Sequence, residues 1–262
     1  MKQRIIVSLT SFPGGMGVIV PTLKSLLKQS LPPDKIVLYL ADPEFPDRGL
    51  PENLEMLVKE NPILDIRFHP TNIRSYKKLI PALRDFPDDV IITVDDDALY
   101  SPDLIKRLIS EHKKYPYSII AHRTRRMMFD KGWNLLPYKS WKIYKHLRYI
   151  AWGSHPKYTN FFTGTGGVLY PPHALHPDTA KEELFMDLAP TADDVWFWAM
   201  AVRRKTKIKP VFFGFPHINT LEKLEQHKLT TVNLMDDRNV KFANAIMEKF
   251  PEILKIIQNQ KN

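Results

Sequence analysis

The chain has 262 residues, 44% hydrophobic and 11% aromatic, enough for a sizeable core. It contains no cysteine, which excludes disulfides, thiolate catalysis and cysteine-based zinc sites. A net charge of +9 and a pI of about 9.5 favour anionic partners without choosing among nucleotides, lipid surfaces and nucleic acid.

No stretch approaches the roughly 20 apolar residues that span a bilayer, and the first residues lack the pattern of a secretory leader. The expectation is a soluble, cytoplasmic protein with at most a peripheral contact at the inner face of the membrane. Basic residues gather in His122–Arg126, between Lys139 and Arg148, and from Arg203 to Lys209.

In chain order, residues 4–9 form a continuous apolar run, the mark of a strand covered on both faces. The segment from Thr10 to Gly17, rich in Gly with one Pro, predicts a loop. Helical spacing follows over 19–29, a strand over 35–40, a helix over 52–60 and a strand over 65–69. A short helix over 75–84 is interrupted or bounded by Pro81. The run Val90–Val94 predicts a buried strand, with Asp95, Asp96 and Asp97 at its carboxyl end. An amphipathic helix over 102–114 and a strand over 118–122 complete a β-α-β-α-β-α-β order. That order predicts an α/β fold with a mostly parallel sheet flanked by helices, whose ligands bind outside the carboxyl ends of the strands.

Beyond residue 123 the pattern changes. Residues 125–160 are rich in Trp, Tyr, Lys and Arg without a clean period. A turn over Thr163–Gly167 leads into a strand at Val168–Tyr170. A helix over 191–203 begins near Thr191 with Asp193 and Asp194 in its first turn. A strand at Val211–Phe213, a polar segment and a last helix over 239–258 follow. The simplest organisation is one domain, with residues 1–123 as a nucleotide-binding half and 124–262 as an acceptor-binding half.

Two acidic groups carry the chemistry. In an extended segment residues two apart point to the same side, so Asp95 and Asp97 can share one hard cation with a diphosphate. Carboxylate oxygens suit Mg²⁺ or Mn²⁺. Asp193 and Asp194 sit where carboxylates also cap helices. Gly164, Gly166 and Gly167 would let backbone approach a sugar closely. Trp196 and Trp198 read as core, whereas Trp133, Trp141 and Trp152 are candidates for stacking on an acceptor.

The ordered set VSLTSFP (7–13), LKQSLPPDKIVLYLA (27–41), SYKKLIPAL (75–83), DDVIITVDDDALY (88–100), GTGGVLYPP (164–172) and ADDVWFWAM (192–200) resembles the GT-A-fold glycosyltransferases, particularly bacterial enzymes of surface-polysaccharide assembly. The resemblance covers most of the chain up to about residue 220. It implies transfer of a sugar from a nucleotide-sugar donor, a UDP-sugar in the first instance, to a glycan or lipid-linked acceptor. It implies a donor site of Thr10, Ser11, Lys78, Asp95, Asp96 and Asp97, joined by Gly166 and Gly167, with Lys77 a weaker candidate. It implies a metal at Asp95 and Asp97 with a late histidine, His217, completing the shell. It also implies a general base at Asp194 or its neighbour Asp193, and hence inversion. Partial burial would raise the Asp194 pKa and the helix N-terminus would lower it, so it is expected to be ionised near neutral pH. The chain departs from the family pattern at Gly14-Gly15, where a small residue and an arginine are expected.

Two other readings were open. A nucleotidyltransferase should carry a basic, glycine-rich loop after the first strand, and no Arg or Lys precedes Lys24 there. A nucleic-acid-binding protein should carry a recognition motif, and none is visible.

Overall fold

The computed structural model describes residues 3–143, 155–211, 219–221 and 237–260. Alternating apolar strands and helices build a seven-stranded sheet. Its strands are β1 (Ile5–Thr10), β2 (Lys35–Ala41), β3 (Leu64–His69), β4 (Val90–Thr93), β6 (Ile119–Ala121), β10 (Val168–Tyr170) and β11 (Ile208–Pro210), in the order β11-β6-β10-β4-β1-β2-β3. All pairings are parallel except those of β10, which runs antiparallel between β4 and β6. The short strands β5 (Ala98–Leu99) and β12 (Asn219–Thr220) pair beside it. β7 (Thr124–Arg126), β8 (Lys142–Ile143) and β9 (Asn160–Phe162) form a small antiparallel sheet within the stretch that had no sequence period.

Period-two alternation splits the core between the two faces of the large sheet. Val7, Leu9, Ile36, Leu38, Leu40, Ile92, Ile120 and Leu169 face α1 (Met16–Leu27), α2 (Glu52–Glu60) and α4 (Leu104–Lys114). Ile6, Val37, Tyr39, Ile91, Ala121, Val168 and Tyr170 face the other way. There they meet a 3-10 turn (Arg74–Lys78), α3 (Ile80–Asp85), α5 (Glu182–Leu188), α6 (Asp193–Arg203), α7 (Arg238–Lys249) and α8 (Glu252–Gln258). α6 is apolar around its whole circumference because neighbours cover it on all sides; Trp196 and Trp198 are fully buried in it, as expected of core residues.

Several boundaries differ from the sequence expectations. The predicted loop ends early: Pro13–Gly15 is a 3-10 turn and α1 starts at Met16. Pro81 opens α3 rather than breaking it, because the first turn of a helix needs no N–H there. The predicted strand at 211–213 lies earlier, at Ile208–Pro210; Phe212 and Phe213 are outside the described residues. The last helix is two helices, divided at Pro251, whose missing N–H and ring end the first. α5 had no expectation at all. Among the described residues no helix is long and apolar enough to cross a membrane.

Candidate active site

Because β1, β2, β3, β4 and β6 are parallel, their carboxyl ends share one edge of the sheet. β10, running the other way, brings its N-terminal approach, Gly164–Gly167, to the same edge. The acidic triplet follows β4 directly. Along it exposure alternates: Asp95 and Asp97 are partly exposed, and Asp96 between them is only 6% exposed. Asp96 accepts a hydrogen bond from Ser11 Oγ at 2.5 Å, and its carbonyl accepts one from Thr22 Oγ1 at 2.8 Å. Tyr100 pins the turn from the other side. Its phenol oxygen accepts from the Asp95 N–H at 2.8 Å and donates to the Asp95 carbonyl at 3.2 Å. Burial, reinforced by Asp95, holds that phenol in its neutral form.

The Gly15 position accounts for the departure noted in the sequence. A Cβ there would lie 2.4 Å from Ser11 Oγ and 2.6 Å from Asp96 Oδ2. The Ser11–Asp96 bond occupies the space that a side chain would need. Thr10 also spends its hydroxyl within the protein, donating to the Tyr39 carbonyl at 2.7 Å.

Lys78 joins the two acidic groups. Its carbonyl accepts from buried Ser8 Oγ at 2.6 Å, which fixes the 3-10 turn under β1. Its Nζ lies 3.0 Å from Asp95 Oδ1 and 2.9 Å from Asp193 Oδ2, with a side chain only 7% exposed. Burial alone would lower its pKa, but Asp193, Asp95 and Asp194 outweigh that and raise it well above the usual lysine value. The expected diphosphate contact is thus a cation already clasped between carboxylates. Lys77 points elsewhere, to Asn72 Oδ1 at 2.8 Å and Glu44 Oε2 at 3.3 Å, and burial lowers its pKa.

Asp193 and Asp194 start α6, where adjacent residues diverge around the helix. Asp193 turns to Lys78 and to Ser75 Oγ, which donates to it at 2.8 Å. Asp194 turns to the glycine turn and accepts from the Gly164 N–H at 3.0 Å. Burial, then the Asp193 charge, push its pKa up to about 7, with Asp95 adding to the rise and Lys78 and the Gly164 N–H opposing it. The expectation of an ionised Asp194 near neutral pH is corrected: burial and like charge outweigh Lys78 and the Gly164 N–H, and the group is poised to exchange a proton there.

The three glycines divide. A Cβ at Gly164 would stand 2.7 Å from Lys78 Nζ and 3.2 Å from both Asp194 Oδ1 and Asp95 Oδ1, so this glycine lies over the cluster. Gly166 instead packs on Arg123, and Gly167 adopts φ +83° against Leu104. Trp141 is 2% exposed and its Nε1 donates to the Leu136 carbonyl, so it is core and not a stacking platform. Trp133 is exposed. Trp152 and His217 lie outside the described residues. Sequence reasoning did not single out Ser75 or Tyr100. Neither has a local signature, and both act by reaching across the fold.

Among the described residues no group of three or more His, Asp or Glu is set to hold a metal. Asp95 and Asp97 nevertheless fit a hard cation of the Mg²⁺ type, which takes one or two carboxylates and completes its shell with phosphate oxygens and water.

A mostly parallel sheet flanked by helices, with an acidic cluster at the carboxyl edge where ligands of such sheets bind, is the architecture of the GT-A fold. The sequence model of glycosyl transferase family 2 matches residues 17–169, more than half of the chain. The chain belongs to that family and is a glycosyltransferase. Among solved structures it is similar to the mannosyltransferase PcManGT from Pyrobaculum calidifontis in complex with GDP-Man and Mn²⁺. The two share 14% identity at a TM-score of 0.58, over 98% of this chain and 69% of the other. It is also similar to GalNAc-T7 with UDP, GalNAc and Mn²⁺, at 14% identity and a TM-score of 0.56 over 96% of this chain. The chain spans about half, 51%, of the length of that second protein. No curated protein matches the sequence.

Proposed function

We propose that the protein moves a sugar from a nucleotide-diphosphate sugar, a UDP-sugar in the first instance, to a glycan or lipid-linked acceptor with inversion at the anomeric carbon. The observation that carries this reading is the Lys78 clasp. It draws the partly exposed Asp95, which shares its side of the turn with Asp97, toward the start of α6, where Asp194 has a pKa near neutrality. In this reading Asp194 takes the acceptor hydroxyl proton as that oxygen bonds to the sugar carbon, and the bond to the donor phosphate breaks to release the nucleoside diphosphate. Asp95 and Asp97, with His217, would hold Mn²⁺ or Mg²⁺, which when bound would supply charge neutralisation for the leaving diphosphate. The metal in both similar structures supports this choice. Residues 1–123 supply most of the donor site and 124–262 most of the acceptor site within a single domain.

The test is thermal stabilisation and donor hydrolysis across UDP-, GDP- and CMP-sugars, with and without Mn²⁺. Metal-dependent stabilisation by one nucleotide class is expected, and full activity in excess EDTA would overturn the metal assignment. We further propose work at the cytoplasmic membrane face in surface-polysaccharide assembly, supported by the net charge of +9, since each Lys or Arg near an anionic leaflet adds about 1 kcal/mol. Liposome sedimentation with no preference for anionic lipid speaks against it.

A further inference from the structure

At the start of the small sheet, Arg123 and Arg125 form a second charged feature. They are two apart across the start of β7 and so share a face. The register places Phe161 opposite Arg125, and the Thr163 N–H donates to the Arg123 carbonyl at 3.1 Å. The next residue along, Gly164, holds Asp194. Arg123 is therefore one ladder step from Asp194. It is fixed there by Gly166, where an added Cβ would fall 2.5 Å from the Arg123 Cβ. The Arg125 guanidinium lies 4.5 Å from the centre of the Tyr138 ring, which packs edge-on against Phe161. The Tyr138 phenol feels Arg125, Asp194 and Arg123 together.

Both arginines are half-buried. Arg67 and Arg203, at similar or greater depth, pair with Asp85, Asp178 and Glu252. Arg123 and Arg125 meet no carboxylate among the described residues. The Thr163 hydroxyl beside them is buried and without a partner. Two arginines gathered at the Tyr138 phenol, Arg125 through its guanidinium, with the unused hydroxyl of Thr163 on the facing segment, supply the charge and the donors that an oxyanion takes.

We propose that Arg123 and Arg125 bind an anionic group of the acceptor, a phosphate or a carboxylate, adjacent to the hydroxyl that faces Asp194. This rests on the reading of Asp194 as the base on the acceptor side. Arg125 lies on the small β7-β8-β9 sheet, whereas the acidic turn expected to meet the donor diphosphate follows β4 of the large sheet.

The experiment titrates the full chain with glucose 6-phosphate, glucuronate and glucose, each with and without saturating Mg²⁺-UDP or Mg²⁺-GDP, followed by ligand-observed NMR. At least one anionic sugar should bind about tenfold tighter than glucose, and the nucleotide should not displace it. Preference for the phosphate or the carboxylate names the source of the anion. Arg123→Gln and Arg125→Gln should each remove that advantage, and Arg125→Lys should keep part of it. Should Arg125→Gln fail to fold, selective weakening of anionic-sugar binding to the unaltered protein at high salt, together with the Arg123→Gln result, carries the same information. Equal affinity for glucose, indifference to both Gln variants, or displacement by nucleotide overturns the proposal. If no nucleotide binds while Arg-dependent anion binding persists, the donor assignment fails and the anion site stands. If nucleotide binds without any anionic preference, the anion site fails alone.

Discussion

The chain carries two acidic groups that look alike in sequence and behave differently in the fold. Asp95–Asp97 occupies a turn after a strand, which leaves Asp95 and Asp97 partly exposed and turns Asp96 inward to Ser11. Asp193 and Asp194 occupy the first turn of a helix, where adjacent side chains diverge, one to Ser75 and Lys78 and the other to Gly164. On the turn one carboxylate of the three is withdrawn into the protein, whereas the two on the helix meet different partners. Lys78 couples the two groups, touching one carboxylate of each.

The sharpest way to break this comparison is Asp97→Ala. If the turn holds the metal, turnover should fall by about 10³-fold or more, with the circular dichroism spectrum unchanged. Asp96→Asn supplies the contrast: it should cost mainly stability, because Asp96 faces Ser11.

At the helix, Asp194→Asn should lower turnover by about 10²–10⁴-fold, the scale of a lost general base, and leave nucleotide affinity in place. The same change should stabilise the protein. The folded pKa of Asp194, about 7, lies above the ordinary value of 3.8. The stability this group contributes is therefore present below about pH 4 and is lost as pH rises through about 7. At pH 8 in the presence of a chelator, denaturant titration should show Asp194→Asn more stable by about 1–3 kcal/mol. Lower stability would mean that the carboxylate acts as a structural cap. Asp193→Asn should instead destabilise, since it gives up the Lys78 pair.

Lys78→Met removes the coupling itself. It leaves Asp95 and Asp193 without their shared cation and should cost about 3–5 kcal/mol, the scale for breaking a buried pair. Because the folded Lys78 pKa is raised by its carboxylate partners, its contribution holds while they are ionised, up to the ordinary lysine value, and on the alkaline side is lost as pH rises through the raised pKa. A double-mutant cycle of Lys78→Met with Asp193→Asn, followed by urea denaturation, should recover part of the loss. Full additivity would show that the two do not interact.

The smallest effects distinguish the glycines. Gly166→Ala meets the Arg123 backbone N at 2.8 Å and should lose about 1–3 kcal/mol of stability. Gly164→Ala meets only side-chain ends, so its stability should change less while turnover falls by about 10–10²-fold. Equal effects on both quantities in both variants would erase the distinction.

Local signals accounted for much of the scaffold and for the acidic turn. The β-branched run before Asp95 dictates a buried strand, and the triplet that follows it is a turn with Asp96 buried between two partly exposed aspartates. Pro251 marked a helix break that an apolar pattern on both sides concealed. The failures at Trp141 and at the ionisation of Asp194 share a cause, because each depends on what covers a residue from elsewhere in the chain.

The sequence by itself determined the alternation of strands and helices, the placing of Asp95–Asp97 at a strand end and of Asp193 and Asp194 at a helix start. Those follow from backbone periodicity within a few residues. Only the tertiary structure decided that Ser75 and Lys78 reach Asp193, the first of these contacts spanning 118 positions, and that Gly164 is the glycine over the cluster. The reason is that β10 inserts antiparallel between β4 and β6, and that choice of neighbours is settled by the packing of both sheet faces rather than by any local pattern.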